Sequence, residues 1–310
     1  MTLRNLENPD NMKKEAELTH LDKIYWPDEN ITKGELLDYY SKIAPHILPY
    51  LKDRPLSLKR NPNGIKDNGF FHKDAGDIAP DWVKKIEIHS ESTDKMVNYL
   101  VCNDLESLLF IANLGCIEMN PWNSTIDKLD RPDYIVMDID PSDKNTFNQV
   151  VDVALAIKEI MDETGMVGYC KTSGSSGLHV YIPFDQKYTY DESKDFAEIL
   201  ASLVNDKLPK ITTLERSLSK RKKNQIYIDY LQNREGQTLA SAYSARPKPG
   251  ATVSAPLEWS EVKHGLKIKD FTIKNMLQRV EEKGDLFKGV LDKGIDLRET
   301  LERMQALHNA

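Results

Sequence analysis

Residues Tyr134 to Asp143 read Tyr-Ile-Val-Met-Asp-Ile-Asp-Pro-Ser-Asp, an apolar run that closes on two carboxylates and a proline. Side chains alternate along a strand, so Ile135, Met137 and Ile139 share one face and Val136, Asp138 and Asp140 the other. About 6 Å apart, at an effective dielectric near 20, two such charges repel by about 3 kcal/mol. Apolar neighbours leave little water to screen them, and a cation would remove the penalty. Pro141 has no N–H to donate, so it ends the strand and leaves the acids at its carboxyl end, where ligands sit in open α/β sheets. Asp-x-Asp alone is a short motif that solvated strand ends also carry.

Two further stretches add to it. Lys171 to Pro183 is a Gly/Ser turn, Lys-Thr-Ser-Gly-Ser-Ser-Gly, followed by the alternating strand Leu-His-Val-Tyr-Ile-Pro, which sets His179 and Tyr181 opposite Leu178, Val180 and Ile182. Without bulky side chains, such a turn lets successive N–H groups and hydroxyls approach phosphate oxygens. Gln225 to Tyr230 is another apolar strand carrying one acid, Asp229. Asp138 and Asp140, His179, and Asp229 thus form a site hypothesis spread over three strands.

With 42 Lys and Arg against 49 Asp and Glu, the net charge of −7 gives no global field that would draw in nucleic acid, so such binding needs a local patch. No apolar stretch approaches the ~20 residues of a membrane span, and no N-terminal run resembles a signal peptide, so a cytoplasmic protein is expected. Cys102, Cys116 and Cys170 lack Cys-x-x-Cys spacing and read as buried free thiols.

Along the chain, residues 1–20 form a polar arm and 21–310 a single domain of two lobes. Thr32 and Glu35 fit a capping box that opens a helix through Ile47, with Pro45 expected to kink or restart it. Pro55 to Arg60 reads as one strand presenting Lys59, and a turn then leads to Phe70-Phe71-His72-Lys73. Val83 to His89 pairs with Met96 to Val101, Asn103 with Glu106 caps a helix stopped by Gly115, and a short strand covers Ile117 to Met119. A helical face from Phe147 to Gly165, a strand over Val167 to Thr172 and a helix over 191–206 support an α/β core. Glu215 to Asn224 is a basic segment with Arg216, Lys220, Arg221, Lys222 and Lys223, and Tyr-Ser-Ala-Arg-Pro-Lys-Pro-Gly is a stiff connector that fixes Arg246. Helices over 271–283 and 297–307 close the chain.

Three carboxylates without Cys or paired His favour a hard cation, Mg²⁺ or Mn²⁺, and three acids suit two ions. Such ions serve phosphoryl and nucleotidyl transfer by in-line displacement. The Gly/Ser turn and His179 would take a triphosphate, with Lys59 and Arg246 as cationic candidates.

Taken together, Ile-Val-Met-Asp-Ile-Asp-Pro, Thr-Ser-Gly-Ser-Ser-Gly-Leu-His-Val-Tyr, Ile-Tyr-Ile-Asp-Tyr and Ala-Tyr-Ser-Ala-Arg resemble the archaeo-eukaryotic primase superfamily. More narrowly, the chain from about Leu21 to Asp285 resembles the polymerase domain of bacterial ATP-dependent DNA ligase D. The resemblance implies a mixed α/β (α+β) primase-type catalytic sheet flanked by helices, with an N-terminal lobe contacting DNA. It implies a template-dependent polymerase and terminal transferase that fills gaps at broken DNA ends, prefers ribonucleotides, uses Mn²⁺ or Mg²⁺ and works with Ku and a ligase domain, in cis or in trans, in the bacterial nucleoid. On this resemblance, Asp138, Asp140 and Asp229 hold metal and Ser173, His179 and Arg246, with Lys59 and Gln232 nearby, contact the triphosphate. Lys23 and Lys33 map to a pocket for a downstream 5′-phosphate, Phe70 and Phe71 to a pair stacking on the template, and Arg221 and Lys222 to a DNA-contacting loop. Asn120 stands where relatives often have His, Ser176 where many have Lys, and His20 where an Asn is common. Lys-x-Asp-Gly of an adenylating ligase does not occur, so a freestanding polymerase or one domain of a larger ligase is expected. The rivals are an Asp-x-Asp sugar-nucleotide transferase and a non-catalytic module that binds DNA ends.

Overall fold

The computed structural model describes residues 14–72, 74–90, 94–217 and 219–308. Most of the expected 1–20 arm, and Lys73 beside the aromatic pair, lie outside these residues.

The described chain opens with a short hairpin, β1 (Ile24–Trp26) and β2 (Ile31–Thr32), that runs into α1 (Lys33–Leu51). The expected capping box is present: Thr32 Oγ1 accepts from Glu35 N–H at 3.1 Å and Glu35 Oε2 from Thr32 N–H at 2.8 Å. The helix neither breaks nor restarts at Pro45, and continues through Pro49 as well. Both prolines lie on the exposed side, where water satisfies the carbonyls they leave unpaired, while buried Leu36, Tyr40, Ile43 and Ile47 hold the other side.

The single strand expected over 55–60 is two. β3 (Pro55–Leu56) and β4 (Leu58–Arg60) are separated at Ser57, whose N–H donates to Asn120 O at 2.9 Å. β4 pairs with β5 (Phe70–His72) and with the later strand Cys116–Glu118, whereas β3 pairs in a different sheet with Lys95–Val101, the partner of β6 (Lys85–Ser90). β7 (Lys95–Val101) leads to α2 (Leu105–Asn113) and β8 (Cys116–Glu118). The α2 cap is Asp104, not Asn103: Asp104 accepts from Ser107 N–H at 2.8 Å. Asn103 instead accepts from Asp53 N–H at 2.7 Å. Both residues are good caps, and a contact fifty positions away decides between them.

Next come β9 (Tyr134–Asp140), α3 (Phe147–Thr164), β10 (Tyr169–Thr172), β11 (Leu178–Pro183) and α4 (Tyr190–Lys207). β12 (Thr212–Thr213), β13 (Ile226–Asp229), β14 (Pro256–Leu257), α5 (Met276–Lys283) and α6 (Leu297–His308) follow. Among the described residues the sheet runs β12-β13-β9-β11-β10-β14, antiparallel except for the β12-β13 pair. α3 makes the crossover from β9 to β10, with β11 inserted between them, so the core is α+β rather than a parallel α/β sheet. Ile135, Met137 and Ile139 are wholly buried, and α3 and α4 pack together and against β9. α5 starts later than the expected residue 271, because Phe271 and Ile273 make extended backbone bonds to Val253 and Ala251. The three cysteines are buried free thiols, each pushed above its ordinary pKa by burial.

A buried ion pair ties the residue before β3 to the residue before β9. Arg54, 2 % exposed, bonds Asp133 through Nη2 and Trp122 O through Nη1 at 3.3 Å, with its guanidinium 5.2 Å from the Tyr134 ring. Arg54→Met leaves the Asp133 carboxylate without this partner, and should lower unfolding free energy by about 3–5 kcal/mol in urea titrations. A change below ~1 kcal/mol would mean that the pair contributes no more than an exposed one.

Candidate active site

The cross-strand register builds the site. Asp229 on β13 stands opposite Asp138 on β9, Asp138 opposite His179 on β11, and His179 opposite Lys171 on β10. Directly opposed residues point to the same face, so these side chains form one polar row across four strands. Asp140, opposite Tyr227, lies on the same face. The acids therefore gather on a sheet face through antiparallel pairing, instead of at the carboxyl ends of parallel strands.

His179 Nε2 is 3.3 Å from Asp138 Oδ1, and its Nδ1 is 2.9 Å from Lys171 Nζ. Asp229 Oδ1 accepts from Leu231 N–H and Oδ2 from Gln232 Nε2, both at 3.0 Å. Asn233 anchors this turn by bonding both the N–H and the carbonyl of Val136 at 2.7 Å. Gln232, expected near the triphosphate, is thus engaged with a carboxylate.

Burial, then Asp140 and Asp229, push the Asp138 pKa up to about 8, against the pull of Lys171 and Arg246. Burial and Asp229 likewise raise Asp140, opposed by Arg221. Burial, then Lys171 and Arg246, lower His179 well below its ordinary value. Among the described residues no three His, Cys, Asp or Glu side chains close into a ready metal cage. The acids nevertheless fit Mg²⁺ or Mn²⁺: an oxygen-only donor set with under-neutralised charge suits ions that complete their shell with water and substrate phosphates.

Asp138, Asp140, Ser173, His179, Arg246 and Phe71 line one cavity of about 250 Å³. The Gly/Ser turn reaches it because Gly177 packs on β9, where an added Cβ would lie 2.1 Å from Ile139 O. The turn's N–H groups are not left open to the cavity as expected. Those of Ser175, Ser176 and Gly177 converge on Ser173 Oγ at 3.1, 3.2 and 3.0 Å.

Glu118 was not anticipated. Its Oε2 accepts from Arg246 Nε at 2.9 Å and its Oε1 lies 3.6 Å from Lys59 Nζ, so one buried carboxylate holds both cationic candidates. Arg246 Nη1 also bonds Ser173 O. Lys171 was missed too. A lone charge inside an apolar strand, the signal that singled out Asp229, marks both residues.

The other candidates lie apart from the row. Phe70 and Phe71 are 50 % and 63 % exposed, which excludes core packing, and Phe71 reaches the cavity rim. Arg221 stacks 4.0 Å over the Tyr227 ring and bonds Glu215 O and Arg216 O at 3.0 Å, while Lys222 is exposed. Lys23 and Lys33 meet at the start of α1, where Lys33 N–H donates to Lys23 O at 2.8 Å. Lys23 Nζ bonds Asn63 Oδ1 at 2.5 Å, and Lys33, buried, gives its Nζ to Thr19 O at 2.8 Å. Burial and Lys23 lower the Lys33 pKa.

The family described as LigD, primase-polymerase domain, matches residues 32–287. The chain is 34 % identical over 269 residues to the bifunctional non-homologous end joining protein LigD of Bacillus subtilis, covering 86 % of this chain and 43 % of that protein. To the multifunctional non-homologous end joining protein LigD of Mycolicibacterium smegmatis it is 29 % identical over 296 residues, covering 94 % and 38 %. It thus spans less than half the length of these curated relatives. The solved polymerase domain from Mycobacterium tuberculosis ligase D in complex with DNA aligns with a TM-score of 0.83 at 26 % identity, covering 91 % of this chain and 100 % of that one.

Proposed function

This chain belongs to the LigD primase-polymerase domain family and is a nucleotidyltransferase, and on that premise we propose that it is a template-dependent polymerase and terminal transferase that fills gaps at broken DNA ends. Membership in a nucleotidyltransferase family favours this reading over sugar transfer or non-catalytic end binding. The observation that carries it is the row of Asp229, Asp138 and His179, of which Asp138 and His179 line one cavity with Asp140, Ser173 and Arg246.

In this reading Asp138, Asp140 and Asp229 hold two Mn²⁺ or Mg²⁺ ions, which when bound activate the attacking primer oxygen and offset charge on the leaving pyrophosphate. His179, Ser173, Arg246 and Lys59 grip and orient the triphosphate, Gln232 steadies Asp229, and Phe70 and Phe71 stack on the template. Arg221 and Lys222 approach DNA beside the acids. Ribonucleotide preference, and work with Ku and a ligase domain at DNA ends in the nucleoid, belong to the same proposal. Primer extension on gapped DNA across NTPs, dNTPs, Mn²⁺ and Mg²⁺ tests it. Incorporation of NTPs ahead of dNTPs is expected, and no incorporation under any combination would refute the polymerase reading.

Phe71→Ala should weaken extension on gapped DNA about tenfold, the size of one base–aromatic stack, without moving the melting temperature of so exposed a residue. Unchanged extension would return Phe71 to the plain surface. At the start of α1, Lys23→Ala should weaken binding to gapped DNA carrying a downstream 5′-phosphate several-fold more than binding to the unphosphorylated gap, at fixed salt. Equal affinity in all four combinations of protein and DNA would remove the phosphate pocket.

A further inference from the structure

Lys171 ends the polar row, fully buried in β10. Its Nζ has three partners in reach: Ser254 Oγ at 2.7 Å, Ala240 O at 2.8 Å and His179 Nδ1 at 2.9 Å. A carbonyl can only accept. Ser254 Oγ spends its own hydrogen on Thr172 O at 2.8 Å, so toward Lys171 it accepts as well. An ammonium carries three N–H bonds, and with two placed, the third points at Nδ1. That nitrogen then presents its lone pair, which leaves the ring proton on Nε2, the atom facing Asp138 on the cavity wall. The Tyr181 ring, 5.3 Å from Nζ, adds a favourable cation–π contact.

We propose that Lys171 is a positioning residue that holds His179 in its Nε2–H tautomer, so that the ring offers a donor to Asp138 and to a phosphate oxygen of bound nucleotide. Lys171 has no contact with the cavity and acts through the imidazole. The phosphate half rests on the reading of the cavity as a nucleotide site; the tautomer does not. Burial, then Arg246, lower the Lys171 pKa well below its ordinary value while Asp138 raises it, so the competing arrangement is a neutral amine accepting from Nδ1–H. In that arrangement a bare Nε2 faces the carboxylate and has no proton for a polyanion.

Ring-nitrogen NMR of the histidine-labelled, metal-free protein at pH 9, where Asp138 is a carboxylate, distinguishes the two, with the His179 signals identified by their loss in His179→Gln. Protonated Nε2 with unprotonated Nδ1 is expected in the wild type; the reverse overturns the proposal, and no variant is needed to see it. A cycle of Lys171→Met, His179→Gln and the double variant, titrated with a non-hydrolysable NTP and Mn²⁺, tests the coupling. Each single change should weaken binding about 10-fold, a loss typical of removing a partner that orients a site residue, and the double variant should be no worse. Losses that multiply would mean that Lys171 does not act through His179, and the proposal fails. A wild type that binds no nucleotide refutes the cavity assignment alone, since the ring-nitrogen result stands by itself.

Discussion

Asp138→Asn should reduce nucleotide addition by at least ~10³-fold and at the same time make the metal-free protein more stable at alkaline pH. Activity falls because the proposed metal site loses its central carboxylate, which is shared by the row and the cavity. Stability rises because the same carboxylate is buried against Asp140 and Asp229, which with burial hold its pKa at about 8. In the unfolded chain it titrates near ~3.9. Below both values the acid is protonated in either state and contributes nothing. Between them the native state keeps a proton that the unfolded state has released, so stability drops as pH rises, by at most about 1.4 kcal/mol per pH unit. Above pH 8 the penalty is complete. Thermal melts in chelator from pH 5 to pH 9 should slope downward for the wild type and flatten for Asp138→Asn, and primer extension reports the loss of activity. Retained extension would remove Asp138 from the metal site. Parallel melting curves would mean that neither burial nor the two neighbouring acids raises the Asp138 pKa.

Arg246→Ala should cut nucleotide addition by about 10²–10³-fold, chiefly through a raised KM for the nucleotide. The guanidinium ties Glu118 to the Ser173 turn, and its loss removes that tie and leaves Glu118 with Lys59 at 3.6 Å and Asn120 Nδ2 at 3.5 Å. Arg246→Lys should recover little, because one ammonium cannot replace a planar fork that serves both acceptors. Removing Arg246 also strips a buried carboxylate of its nearest partner, which destabilises the fold. Adding Glu118→Gln separates the two effects: the double variant should regain stability and remain poor in nucleotide affinity. Steady-state kinetics with urea unfolding decides the matter, and a KM within threefold of wild type would take Arg246 out of the triphosphate grip.

The features legible from sequence are those whose physics is local. Thr32 and Glu35 cap α1 because a hydroxyl and a carboxylate three positions apart reach each other's backbone N–H without outside help. Gly165 stops α3 because it takes φ 73°, which disfavours other residues. The alternation that places Asp138 and Asp140 on one face is a property of the strand itself. Where the sequence reading went astray, a distant partner intervened. Ser57 breaks its strand to bond Asn120, and Asn103 gives up the cap to hold Asp53. The bond from Lys33 Nζ to Thr19 O is likewise one that no local pattern announces.

Sequence alone thus determined that Asp138 with Asp140, His179 and Asp229 lie on three strands, which face each one uses, and the family to which the pattern belongs. It could not determine register between strands far apart in the chain. Asp229, Asp138, His179 and Lys171 become one row only when β13, β9, β11 and β10 align, and a slip of one residue would send a strand's charges to the opposite face. The bonds that complete the site span the chain in the same way: Arg246 and Glu118 are 128 positions apart, Lys171 and Ser254 are 83. Glu118 and Lys171 are single charges in apolar strands, and nothing local distinguishes a charge that finds a partner in the core from one that turns to water. Burial removes the water, an unpaired charge is then too costly to keep, and only the tertiary structure fixes which residue supplies its partner.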